Sequence, residues 1–133
     1  MRLTSRSEYA LIALTFLARK KESGYHSVEA IATAQRIPYK FLEQILLILK
    51  RAGFVESMRG SNGGYRLARK PKDVALADII RLFDGALAPT SSASKFFYRS
   101  SPIEREPKLL KVFKHIRDLA AGILEKTTLK DML

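Results

Sequence analysis

The chain has no cysteine among its 133 residues. That excludes disulfides, zinc fingers, cysteine-ligated iron–sulfur clusters and cysteine nucleophiles. Histidine is almost as scarce. His26 and His115 stand far apart in the sequence, and neither lies in a metal-ligand pattern. No apolar run approaches the roughly 18 residues of a membrane span; the stretch from Tyr9 to Ala18 is broken by Thr15 and followed by Arg19-Lys20-Lys21. The opening residues, Met1 to Glu8, lack the apolar core of a secretory signal, so a soluble, cytoplasmic chain with no membrane partner is expected. Acid is the last shortage: 13 Asp and Glu stand against 24 Lys and Arg, a net charge of +11.

Enzymatic chemistry finds no footing. The serines between Ser91 and Ser101 have no identifiable base and no strand-to-helix nucleophile elbow. Glu104 and Glu106 sit in a basic loop, where surface ion pairing accounts for them better than acid–base catalysis. No enzyme and no cofactor are expected. What remains is an ordinary globular balance, 47% hydrophobic and 28% charged, in a chain long enough to bury a core without staples.

The positive charge is concentrated. Residues 1–75 carry 14 Lys and Arg against 6 Asp and Glu; residues 76–133 carry 10 against 7. Between 50 and 72, Lys50, Arg51, Arg59, Arg66, Arg69, Lys70 and Lys72 face a single acid, Glu56. Such an excess draws a polyanion by phosphate neutralisation and counterion release. A solvated basic surface is the plainer alternative. A membrane surface fits less well, because the cluster does not fall on one amphipathic helix with bulky apolar residues opposite.

Periodicity supplies the order of elements. Tyr9, Ile12, Ala13, Phe16 and Leu17 recur at helical spacing over 5–20, with Ser5 or Ser7 as cap. Ser27 caps a short second helix, 28–34. Pro38 suits the first position of a third helix reaching Ala52, where Gly53 stops it. Ile31, Ile37, Leu42, Ile45, Leu46 and Leu49 form the shared seam, which leaves Tyr39, Lys40, Glu43, Gln44 and Lys50 outside. Any small helical bundle satisfies these three helices, and the next segment decides. Strands over 54–59 and 64–67 flank Gly60-Ser61-Asn62-Gly63, a turn that tolerates positive φ. A phosphate-cradling nucleotide loop fits poorly, since no Gly-Lys-Ser/Thr follows and no helix opens there.

Three helices followed by a basic hairpin is the order of a winged helix-turn-helix. Its third helix enters the major groove, and Arg59 with its neighbours at the tip reaches the minor groove. A short helix over 76–83, a Ser- and Pro-rich loop over 86–107 and a long helix over 108–126 complete the chain. The loop is long enough to imply function or mobility. Leu109, Val112, Ile116, Leu119 and Ile123 line the last helix beside a second stripe, Leu110, Phe113, Ala120 and Leu124. One core contact does not need both, so a partner chain covers one, unless both pack within the monomer. Thr128 to Leu133 forms a terminal apolar tab. The fold class expected is mainly α, with residues 1–75 as the DNA-binding region and 76–133 as loop and pairing helix.

Several segments together resemble the IscR/NsrR-like family of bacterial winged-helix regulators: Met1-Arg2-Leu3-Thr4-Ser5 with Tyr9-Ala10-Leu11, Phe41-Leu42-Glu43-Gln44-Ile45-Leu46, Leu49-Lys50-Arg51-Ala52-Gly53, Val55-Glu56-Ser57-Met58-Arg59-Gly60 and Gly63-Gly64-Tyr65-Arg66-Leu67-Ala68. The resemblance implies a homodimer with crossed long helices that binds a partly palindromic double-stranded operator and represses transcription. It places Lys40 and Glu43 at base edges, Glu43 to accept from cytosine N4 and Lys40 to donate to guanine or phosphate. Gln44 matches the motif, Arg59 with Gly60 is the wing's minor-groove element, and Tyr39 lies on the same outer side. Arg6 and Tyr9 are phosphate contacts, while Tyr65 packs under the wing. Leu47 and Ile48 depart from the family, which often has a small and a basic residue there.

Cluster-bearing relatives carry three cysteines in the loop that here spans 86–107, where Ser92 and Ser101 stand instead. A serine hydroxyl is hard and protonated at neutral pH, a poor replacement for thiolate. Glu8, a position where some relatives recruit a carboxylate, serves here as a charge at a helix N-terminus. Two accounts follow. Either the chain senses an unknown effector or protein partner through this loop, as an interaction or small-molecule-sensing module of the same fold, or it is a variant in which serines replace cysteines.

Overall fold

The computed structural model describes all 133 residues. Five α-helices and one hairpin follow in the expected order: α1 (Ser5–Arg19), α2 (Val28–Gln35), α3 (Tyr39–Arg51), β1 (Val55–Met58), β2 (Gly64–Leu67), α4 (Leu76–Asp84) and α5 (Pro107–Lys126). The architecture is mainly helical, a winged helix-turn-helix with a long C-terminal helix.

The main core lies between α1, α2 and α3. Ala10, Ala13, Leu14 and Leu17 of α1 pack with Ile31 of α2, Ile37 of the connection and Leu42, Ile45, Leu46 and Leu49 of α3, and the whole expected seam is buried. The tight turn from α2 to α3 places Arg36 in the left-handed region at φ 54°. Such a conformation costs a non-glycine residue about 1 kcal/mol. It is held by the Ile37 N–H donating to Ala32 O at 3.0 Å and by burial of the Ile37 side chain.

Two caps differ from expectation. Thr4, not Ser5 or Ser7, caps α1, its hydroxyl accepting from the Ser7 N–H at 3.3 Å. Ser7 lies inside the first turn with a fully buried side chain, so its hydroxyl faces inward and donates to Asp84 Oδ2 at 2.6 Å. Pro38 precedes α3 rather than opening it. Its ψ of 130° is extended, and helical geometry begins at Tyr39.

The hairpin pairs Val55 with Leu67, Glu56 with Arg66, Ser57 with Tyr65 and Met58 with Gly64. Its base is buried at Val55 and Leu67. A third segment joins it: His26 N–H donates to Tyr65 O at 2.9 Å, and Tyr65 N–H to His26 O at 2.7 Å. Gly64, at φ 139°, makes this approach possible, since a Cβ there would stand 2.0 Å from the His26 carbonyl oxygen. The wing is therefore laced to the entry of α2.

The last helix packs on α4 through a smaller core of Ala77, Ile80, Leu87 and Ala121, with Leu124 at its edge. Arg81 Nη2 donates to Glu125 Oε1 at 2.6 Å and holds that carboxyl below the usual carboxylate range. The pair's contribution is present above the ordinary carboxylate pKa and fades as pH falls through the lowered value. The terminal tab returns to the first region: Leu129 is fully buried in the main core, and its N–H donates to Val74 O at 3.0 Å. The 86–107 segment is organised rather than open. Ser91–Ala93 and Pro102–Arg105 form 3₁₀ turns, and Arg117 of α5 donates to Ala93 O at 2.9 Å.

Asp84 ties the end of α4 to the start of α1 by accepting from Thr4 Oγ1, Thr4 N and Ser7 Oγ. Its negative charge also complements the positive N-terminal end of α1. Asp84→Ala removes the charged acceptor of Thr4 N, Thr4 Oγ1 and Ser7 Oγ, leaving the Ser7 hydroxyl only the Thr4 carbonyl at 3.0 Å, and urea denaturation should show a loss of about 1–3 kcal/mol. An unchanged midpoint would contradict the role given to this contact.

Candidate nucleic-acid interface

The inner face of α3 is fully committed to the core, and that fixes what its other face presents. With Leu42, Ile45, Leu46 and Leu49 buried, Tyr39, Lys40, Glu43, Gln44, Leu47, Lys50 and Arg51 are exposed. At 100° per residue, Lys40, Glu43, Gln44, Leu47 and Arg51 fall within an arc of about 100° opposite the core. The first turn of α3 carries no acid and no side-chain cap, so its positive end and unpaired N–H groups lie beside Tyr39 and Lys40, an arrangement favourable to phosphate.

Tyr9 meets α3 through Phe41, the rings edge to face at 5.5 Å. The ring contact pins α1 to the N-terminal turn of α3. Arg6, a turn earlier and exposed, holds its guanidinium 5.7 Å above the Phe83 ring. Arg59 and Gly60 stand apart from these groups at the exposed wing tip, Gly60 at φ 110° turning the chain. Tyr65 is half-buried against the main core.

The structure divides the basic cluster of 50–72. Arg66 donates to Glu56 across the hairpin at 2.5 Å and stacks 4.4 Å over the Tyr25 ring; the hydrogen bond it gives to the Glu56 carboxylate holds its guanidinium pKa above the ordinary value. Arg69 donates to the carbonyls of Gly53 (3.1 Å) and Ala52 (3.2 Å) at the end of α3 and lies 4.2 Å over Phe54. These two arginines brace the wing and close the helix. Lys50, Arg51, Arg59, Lys70 and Lys72 remain exposed. Sequence counting could not separate the two groups, because the partners that occupy Arg66 and Arg69 come from a cross-strand register and from backbone carbonyls.

A family model for Rrf2, described as an iron-dependent transcriptional regulator, matches residues 3–133. The chain belongs to the Rrf2 family. Rrf2 proteins are transcriptional regulators, not enzymes, and this chain is a DNA-binding regulator of the helix-turn-helix type. It is 36% identical to an Rrf2-like HTH-type transcriptional regulator of Rhodobacter capsulatus, over 98% of this chain and 91% of that one. Among solved structures it is similar to CymR, the global cysteine regulator of B. subtilis, with a TM-score of 0.78 and 31% identity over 99% of this chain and 95% of that one. It is also similar to IscR of T. potens, with a TM-score of 0.72 and 32% identity over 99% and 85%.

The iron in the Rrf2 description does not fit the residues present. No thiol exists in the chain, and no three His, Asp or Glu side chains gather to hold a metal ion. At the loop where cluster-bearing relatives place ligands, Ser92 is buried and shares a hydrogen bond of 2.6 Å with Ser101, which also meets Thr90 at 3.3 Å. These hydroxyls satisfy one another. Glu104 beside them accepts from Tyr98 OH at 2.7 Å, which raises the pKa of the phenol.

Duplexes selected by this chain from a random pool give the test of the individual contacts. Arg59→Ala should weaken binding and relax preference for a narrow minor groove, while Glu43→Ala should change base preference at one position by about 1–3 kcal/mol. Competition titrations against single-base variants check both. Equal affinity for every variant before and after substitution would remove these residues from the interface.

Proposed function

We propose that this chain is a cytoplasmic homodimeric repressor that reads a partly palindromic operator with two copies of α3 and two wings. The observation that carries this reading is on α5. Leu109, Val112, Ile116, Leu119 and Ile123, spaced three and four apart, are 44–66% exposed, while the neighbouring stripe of Leu110, Phe113, Ala120 and Leu124 is half-buried against the body. A 3.5-residue apolar repeat left open on one helix is the seam of a helix pair. Pairing there duplicates the α3 face and sets two half-sites one helical turn, about 34–36 Å, or a multiple of it apart. A dimer lying across that length of duplex keeps other proteins off it, the simplest form of repression.

In this reading Lys40, Glu43, Gln44 and Tyr39 work in the major groove, Arg59 and Gly60 in the minor groove, and Arg6 and Tyr9 at the phosphates. Residues 1–75 bind DNA, and residues 76–133 pair the chains and receive a signal other than an iron–sulfur cluster. The Arg117 contact to Ala93 O supports the second role, because a ligand or partner protein that shifts the 86–107 segment acts directly on the pairing helix.

Binding to a selected duplex should fall steeply with salt, by about a thousandfold between about 50 and about 200 mM if six phosphates are neutralised. Leu119→Asp should leave the fold intact, since that side chain is 56% exposed, yet reduce duplex affinity by breaking the seam. Fluorescence anisotropy at two salt concentrations measures both effects. Affinity indifferent to salt, or unchanged in Leu119→Asp, would overturn the proposal.

A further inference from the structure

Leu47 is the one residue of the outward α3 arc with no charge and no hydrogen-bonding side-chain atom. It is 44% exposed. By helical angle it lies at the middle of that arc, with Glu43 to one side and Lys40, Arg51 and Gln44 to the other. The core does not use it, since Leu42, Ile45, Leu46 and Leu49 fill the opposite face. The edge contact to α1 does not use it either, because Phe41 makes that contact.

Resting on the reading of α3 as the helix that enters the major groove, we infer that Leu47 is a specificity residue that packs on the C5-methyl of thymine near the centre of each half-site. The major groove offers an apolar side chain one apolar partner, the thymine methyl; the other groups along the base edges are hydrogen-bond donors and acceptors. Leucine also selects by exclusion. Set against cytosine N4 or guanine O6, it strips water from a polar group and returns no hydrogen bond. Lys40, Glu43 and Gln44 read polar edges on either side, and Leu47 specifies a thymine between them.

Uracil in place of thymine tests this directly, because it removes the methyl and leaves the base-pairing edge unchanged. With the full-length chain and its best duplex from a random pool, each thymine of a half-site is replaced in turn by uracil and affinity is measured. One or two central positions should lose about fourfold per methyl, the equivalent of about 0.8 kcal/mol for one buried carbon. Leu47→Ala should bind the thymine and uracil duplexes equally, and Leu47→Met, which keeps the apolar bulk, should restore the discrimination. Retention of the full thymine preference by Leu47→Ala, or no loss at any uracil, overturns the inference while leaving the DNA-binding reading standing. A chain that selects no duplex at all overturns both.

Discussion

What α3 presents on its outer side depends on the burial of its inner side. Four aliphatic residues, Leu42, Ile45, Leu46 and Leu49, sit in the main core with essentially no exposure, and each side chain of that kind contributes about 1.5–3 kcal/mol when removed from water. A rotation of α3 by a single residue's angle would lift part of that set into solvent and push Glu43 or Lys50 towards Leu14 and Ile31. The orientation of the outer face is thus set from inside by hydrophobic burial, and no contact on the outer face is needed to hold it.

The same economy of roles governs the arginines. Arg66 and Arg69 lie in the most basic stretch of the chain, yet each is turned inward to a named partner, Glu56 with Tyr25 in one case and the last carbonyls of α3 with Phe54 in the other. Their work is to make the wing and the end of α3 one rigid piece, with the His26–Tyr65 backbone pair lacing the other edge. Arg59, at the tip beyond these braces, keeps an exposed side chain. A wing held at its base and free at its end suits a finger that follows a groove.

Much of this was legible in the amino-acid order because local and tertiary demands agree. The α3 seam, the hairpin and the double stripe of α5 each follow from period and from turn residues, and each lies where the period places it. What escaped were features set by partners distant in sequence. Thr4 caps α1 because Asp84, eighty positions away, gathers both Thr4 and Ser7, and that pulls Ser7 inside. Arg117 ties the 86–107 segment to α5 through a backbone carbonyl, a contact that the length of the loop alone did not reveal. Membership of the Rrf2 family was legible for a different reason: its motif residues alternate between the core and the open face of α3, as buried Leu42 beside exposed Glu43 illustrates. The missing thiols, equally visible, exclude a cysteine-ligated cluster in this chain.

In the proposed reading the α5 seam joins the local geometry to the regulatory role, since one α3 would read one half-site and the stripe from Leu109 to Ile123 is exposed within the chain. Sedimentation equilibrium of the free protein, and of the protein with a selected duplex, tests that link most directly. The account predicts a free species of twice the 15.0 kDa chain mass at micromolar concentration, and two chains on each duplex. A free species of one chain that binds duplex one to one would contradict it.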